Sequence, residues 1–192
     1  METEKAIEYI LTRLKNELKI FMTYHSFKHT EDVIKNVKRI AKAEKIIDKR
    51  ELNLLVTAAA YHDSGFINTY MNHEEEGCRI ADKILPQFNY SKEDIEVIKN
   101  LIMATKVPQT PKSKLEQIIC DADLDYLGRE DFFEIGETLY DEFLYMKIVR
   151  DTLSWNQLQV KFLSSHNFFT PSNQKLREQK KQKHLSIIQK LI

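Results

Sequence analysis

Apolar side chains recur along this chain at steps of three and four residues, and no sustained run steps by two. Ile7, Ile10, Leu11, Leu14 and Leu18 form one such stripe; Val33, Val37, Ile40 and Ala41 form another. A repeat near 3.6 residues lays its members on one face of a helix. The pattern predicts nine helices, at about residues 2–22, 30–47, 50–63, 73–86, 91–105, 113–126, 129–147, 153–166 and 172–191, each end set to within about 2–4 residues. Ser91 stands before Lys92-Glu93-Asp94, and Ser113 stands three residues before Glu116, the spacing of a capping box. Ser172, after Pro171, opens the last helix. Three loops interrupt the helices: TYHS before the second, SGFINTYMN after the third and KVPQTPK after the fifth. With no linker-like segment and no repeat, the expectation is a single all-α domain over residues 1–192.

Composition narrows the class. A chain of 192 residues can bury one sizeable core, or two very small ones. Its 29 basic and 29 acidic residues cancel, so no global field steers it to nucleic acid or to acidic lipid. The start, METEKAIEYILTRLKNELK, is too charged for a signal peptide, and no apolar run approaches membrane-spanning length. Cys78 and Cys120 lie far apart and outside any C-x-x-C pair. That weighs against a disulfide framework or a thiolate zinc site and fits a reducing cytoplasm.

The chemistry concentrates at a few places. In AAAYHDSGF a run of small apolar residues ends in His62 and Asp63. Burying two titratable groups there is costly unless an ion pair, a helix-end hydrogen bond or a metal ion satisfies them. His25 and His29 stand four apart in YHSFKHTEDV, a spacing that on a helix puts both rings on one face. Asp121, Asp123 and Asp125 interrupt an otherwise apolar helix in IICDADLDYLG. Singly, each has an ordinary explanation: a hydrogen-bonded core histidine, or an imidazolium meeting the negative end of a helix dipole. As an ordered set on separate apolar helices they point to a metal centre of imidazole nitrogen and carboxylate oxygen. Such donors suit iron, manganese, cobalt, nickel or zinc better than calcium.

H…HD…D in this order, on an all-α chain, resembles the HD superfamily of metal-dependent phosphohydrolases over about residues 20–130. YHSFKHTEDV is similar to the first motif of that family, AAAYHDSGF to the second and IICDADLDYLG to the last. The resemblance implies that His29, His62, Asp63 and Asp123 ligate the metal. Asp123 is preferred to Asp121 because Ala122-Asp123-Leu124 matches the family's final motif. Tyr24-His25 matches the pair that supplies a proton in the cyclic-nucleotide phosphodiesterase branch, making His25 the candidate general acid and Asp63 its catalytic companion. His73 fits one second-metal position; the other falls in LIMATK, where Thr105 and Lys106 stand and no histidine does. One divalent ion per chain is therefore expected, with His73, Thr105 and Lys106 held as second-metal or substrate residues.

The resemblance further implies a water, acidified by the ion, attacking phosphorus in a small phosphate ester, a nucleotide rather than a polymer. Two other readings stay open: a non-catalytic metal- or nucleotide-binding regulatory module, and a di-iron oxygenase of the same superfamily, against which the missing histidine counts. The amphipathic terminal helices offer a surface for a homodimer. His166 reads as a packed core histidine, and Lys175, Arg177, Lys180, Lys181 and Lys183 read as a solvated helix face.

Overall fold

The apolar stripes become helices wherever the expected pattern runs, and capping chemistry sets where each one stops. A computed structural model describes residues 1–192 as nine α-helices with four short 3-10 turns and no strand. Helix α1 (Thr3–Glu17) ends earlier than the stripe allows, because Leu18 turns extended (ψ 141°) and releases the chain into the TYHS loop. Helix α2 (Phe27–Ala43) begins three residues before its expected start, immediately after the extended Ser26. Helix α3 (Lys49–Tyr61) is capped by Asp48, whose carboxylate accepts from Glu51 N at 2.9 Å. Helix α4 (His73–Ile84) starts after Asn72, which holds a left-handed φ of 55°, a conformation asparagine tolerates better than most residues.

Helix α5 (Lys92–Ala104) carries a reciprocal box: Ser91 accepts from Asp94 N at 3.1 Å, and Asp94 accepts from Ser91 N at 3.4 Å. Ser113 caps α6 (Lys114–Asp123) in only half of the expected box. Its hydroxyl accepts from Glu116 N at 3.2 Å, while the Glu116 carboxylate takes Lys112 N at 2.6 Å. Helices α7 (Phe132–Tyr145), α8 (Thr152–Ser165) and α9 (Pro171–Ile188) complete the chain. The cap of α9 is Thr170 and not Ser172. Its side chain accepts from Asn173 N, and Pro171 occupies the first helical position, where its missing N–H costs nothing.

Packing falls into two clusters. The first has 28 buried side chains between α1 and α6 and centres on α3, which is buried on every face from Leu54 to Tyr61. The Ala58-Ala59-Ala60 run is small because neighbours close in on it from all sides; Tyr61 beyond it is fully buried and donates its hydroxyl to Ala6 O at 3.2 Å. The second cluster has nine members, among them Tyr24, Leu127, Phe132 and Phe168, and joins the TYHS loop and the 3-10 turn Asp125–Gly128 to α7, α8 and α9. No helix is long and apolar enough to cross a membrane.

Two acids of DADLD tie the clusters together. Asp121, buried, accepts from Phe169 N and Thr170 N at 2.8 Å each and from the Thr170 hydroxyl. Burial pushes its pKa up to about 6 despite those three donors. Asp125, also buried, meets Arg39 at 2.6 Å, Arg177 at 2.9 Å and the Asn173 amide at 3.1 Å. The expected solvated basic face on α9 is therefore corrected at two residues. Arg177 is spent on Asp125. Lys181 is fully buried over the Phe168 ring, donating to the His166 carbonyl and pairing with Glu178 at 3.0 Å.

Candidate metal centre

Three helix ends deliver the ligand candidates to one point. His29 sits in the first turn of α2, His62 caps the C-terminus of α3 with Asp63 following it, and Asp123 is the last residue of α6. One donor atom each from His29, His62 and Asp123 lies within 4.8 Å of the others. His29 Nε2 stands 3.2 Å from Asp123 Oδ1 and 3.4 Å from Asp63 Oδ2; His62 Nε2 stands 3.2 Å from Asp63 Oδ2 and 3.4 Å from Asp123 Oδ1. His62 Nδ1 donates to Ala59 O at 2.8 Å, which keeps a proton on Nδ1 and turns Nε2 toward the carboxylates.

His62 Nε2 and Asp63 Oδ2 are buried and have no hydrogen-bond partner. Two buried polar atoms 3.2 Å apart without a hydrogen bond are a costly arrangement, relieved by a proton on Nε2 or by a cation held between them. Burial alone would depress the His62 pKa, yet Asp63 and Asp123 outweigh it and hold it well above the usual histidine value. Burial would likewise raise Asp63, but His62 first, then His25 and His29, hold it far below the usual carboxylate range. Asp123, facing the same imidazoles, is held at about 2 against the effect of burial. Two buried carboxylates that stay ionised make a field suited to a cation, and the two imidazoles complete a nitrogen–oxygen donor set. A divalent transition ion fits these residues.

Around that set lie the other expected residues. His25 stands in the loop before α2, so the four-residue spacing does not place it on a helical face with His29; the ring centroids are nevertheless 6.2 Å apart. His73, the first residue of α4, lies on the far side of Asp63, its Nε2 3.7 Å from Oδ1 and 3.6 Å from Glu74 Oε1. Phe66 stacks on it at 3.9 Å. This closeness depends on Gly65, where an added Cβ would sit 1.9 Å from the His73 carbonyl oxygen. Thr105 spends its hydroxyl on Ile102 O at 2.8 Å, and Lys106 is paired with Glu75 at 2.6 Å. His166 is away from the centre, stacked on Phe162 and edge-on to Phe168, with neither ring nitrogen partnered.

Two residues here carry no signal in the sequence. Gln109, in the KVPQTPK loop, reaches Asp123 Oδ2 at 3.4 Å. Glu142 of α7 is fully buried and binds the Tyr24-His25 pair three ways: its carboxylate meets His25 Nδ1 at 2.5 Å and accepts from the Tyr24 and His25 backbone N–H groups at 3.1 Å each. Tyr70 donates a further hydrogen bond to it at 3.1 Å. Burial would lower His25, but Glu142 and the more distant Asp63 and Asp123 raise its pKa above the usual value. Glu142 shares α7 with Glu134, Glu137 and Asp141, and nothing local distinguishes it from them.

A cavity of about 430 Å³ opens at Asp63, Asp123, His25 and His73, with Thr105 and Lys106 at its edge, and continues between α7 and α8. No curated protein matches the chain. The crystal structure of a predicted HD superfamily hydrolase from an uncultured Thermotogales bacterium shares the fold, with a TM-score of 0.63 and 21% identity over 98% of this chain and 90% of that one. The HD domain family model matches residues 26–125, more than half of the chain and the whole span from His29 to Asp123. The chain belongs to the HD domain family.

Proposed function

We propose that this protein is a metal-dependent phosphohydrolase acting on a small phosphate ester. The observation that carries the reading is the pair of orphaned buried atoms, His62 Nε2 and Asp63 Oδ2, turned toward His29 and Asp123. His29, His62, Asp63 and Asp123 would hold one divalent ion, of manganese, iron, cobalt, nickel or zinc. When bound, such an ion acidifies a water and stabilises charge developing on phosphoryl oxygens. Asp63 offers Oδ2 to the His29–His62 side and Oδ1 to His73, so it orients groups on both sides of itself.

His25, whose pKa the Glu142 carboxylate raises against the effect of burial, would donate its proton to the departing alcohol oxygen. Its Nδ1 is engaged with Glu142, which leaves Nε2 as the donating atom. His73 is the residue that would serve a second ion, with Thr105 and Lys106 offering no imidazole to help it. Within the substrate class, a nucleotide is the expectation from the sequence. We read residues 1–192 as one functional unit, since Asp121, Asp125 and Glu142 bind the C-terminal helices to the motif-bearing part. The reading places it in a reducing cytoplasm, where Cys78 and Cys120 stay as thiols.

The test is metal content per chain by mass spectrometry after dialysis against each ion, beside phosphate release from a panel of esters, for wild type and the His62→Ala/Asp63→Ala double variant. Near-stoichiometric ion and phosphate release, both lost in the variant, support the reading. Equal metal content in the two proteins would overturn it and leave a helical binding module.

A further inference from the structure

The cavity beside the metal residues is unequal along its length. Of 25 lining residues 16 are hydrophobic, and the charged ones gather at the metal end. The far wall is built from two helix faces: Leu139 and Phe143, one turn apart on α7, look across at Trp155, Leu158 and Phe162 on α8. Tyr140 and Phe143 of α7 both meet Trp155, at 5.8 and 5.9 Å, and Tyr140 also reaches the Thr152 hydroxyl at 3.1 Å, so the two helices close on each other there and the cavity lies alongside.

Several polar groups on the walls are already engaged. Thr105 donates to Ile102 O, Tyr70 donates to Glu142, and the Gln159 amide donates to Asn156 at 3.4 Å. Lys106 is the one lysine or arginine lining the cavity, and it is paired with Glu75. A di- or triphosphate would bring more negative charge than this end can neutralise. A ribose would bring hydroxyls into a wall with few free partners, and an unpaired buried hydroxyl costs affinity.

We infer that the cavity receives the alcohol half of a phosphate monoester, and that this alcohol is apolar, an alkyl or aryl chain, with its single phosphate at His29, His62, Asp63 and Asp123. The inference deepens the phosphohydrolase reading and rests on it, replacing the nucleoside by a hydrocarbon. In the reaction, water oxygen bonds to phosphorus, the ester P–O bond breaks, and the proton from His25 goes to the alcohol oxygen. Inorganic phosphate and the free alcohol leave, and the proton lost by the attacking water restores His25 through solvent. The cavity volume of about 430 Å³ falls in the range of small-ligand sites.

The experiment uses the metal-loaded full chain and a ladder of ethyl, butyl, hexyl and octyl phosphate, with nucleoside 5′-monophosphates alongside. Each buried methylene is expected to raise kcat/KM roughly four-fold, carrying octyl phosphate past every nucleotide. In Phe143→Ser and Leu158→Ser, each checked for helix content by circular dichroism, the gain per methylene is expected to shrink. The same ladder of alkyl phosphonates, which cannot be hydrolysed, is titrated by calorimetry; affinity should climb with chain length and the binding heat capacity should become more negative. A flat phosphonate ladder, or nucleotides turned over faster than octyl phosphate, would overturn the inference. A rising phosphonate ladder without phosphate release from any ester would uphold the apolar site while sinking the hydrolase reading.

Discussion

The 28-residue cluster of α1–α6 and the nine-residue cluster around α7–α9 meet near His29, His62, Asp63 and Asp123, and they are packed differently. In the first, α3 is surrounded on all sides, and the ends of α2, α3 and α6 hold His29, His62 and Asp123 in place. In the second, α7 rests chiefly on the Asp125–Gly128 turn, while the space toward α8 remains open as the cavity. Ligands for an ion must be fixed within a few tenths of an ångström, which close packing provides. A substrate must enter and leave, and that is easier beside a helix with fewer neighbours. Glu142 reaches the boundary: it is carried by the loosely packed helix and binds His25 in the loop that leads into α2.

The sharpest way to break this division is Asp63→Ala. It removes a proposed ligand from the rigid side, and phosphate release should fall by more than about 10³-fold with loss of bound metal. Release within ten-fold of wild type would remove Asp63 from the chemistry. Asp125→Ala attacks the seam. It strands Arg39 and Arg177 beside a vacated buried site, a change worth about 3–5 kcal/mol when one partner of a buried pair is deleted. Urea denaturation should show that loss, while the metal content of the folded fraction stays near wild type. If metal and stability vanish together, the two sides are one cooperative unit and the contrast drawn here is wrong.

His166 tests the second cluster through pH. Burial first, then Lys181, lower its pKa to about 4, so the folded protein refuses a proton that the unfolded chain accepts below about 6.5. Stability from a neutral buried histidine is complete above that value and is lost as pH falls toward 4, by up to roughly 3 kcal/mol. Relative to His166→Phe, wild type should therefore weaken across this window in denaturation measured at successive pH values; parallel curves would contradict the account. The smallest effect is expected from Glu142→Gln, which keeps the shape and removes the charge. The raised His25 pKa should drop, moving the alkaline limb of kcat/KM to lower pH, with kcat down by about 10- to 100-fold. An unmoved limb would mean that Glu142 only packs the loop.

Much of this molecule is written locally. The three- and four-residue stripes determined nine helices in their order, and each forms where the period runs. The caps at Ser91 and Ser113 were legible because a cap and its partner lie within a turn of each other. The H…HD…D order determined which four residues to bring together, and the chain does bring them together. The ends of helices were less legible, since Leu18, Ser26 and Thr170 are decided by what the next segment must reach.

Only the tertiary structure decided the rest, and the reason is range. Asp121, Asp123 and Asp125 look alike in sequence, yet they face Thr170, the metal residues and the Arg39–Arg177 pair respectively, because successive positions on a helix and turn point in different directions. Glu142 lies 117 positions from His25, and Lys181 owes its burial to a carbonyl and a ring reached from other parts of the chain. A periodic pattern reports which face of a helix is apolar. It holds no record of which distant helix that face will meet, and the partner of His25 and the walls of the cavity were settled by those meetings alone.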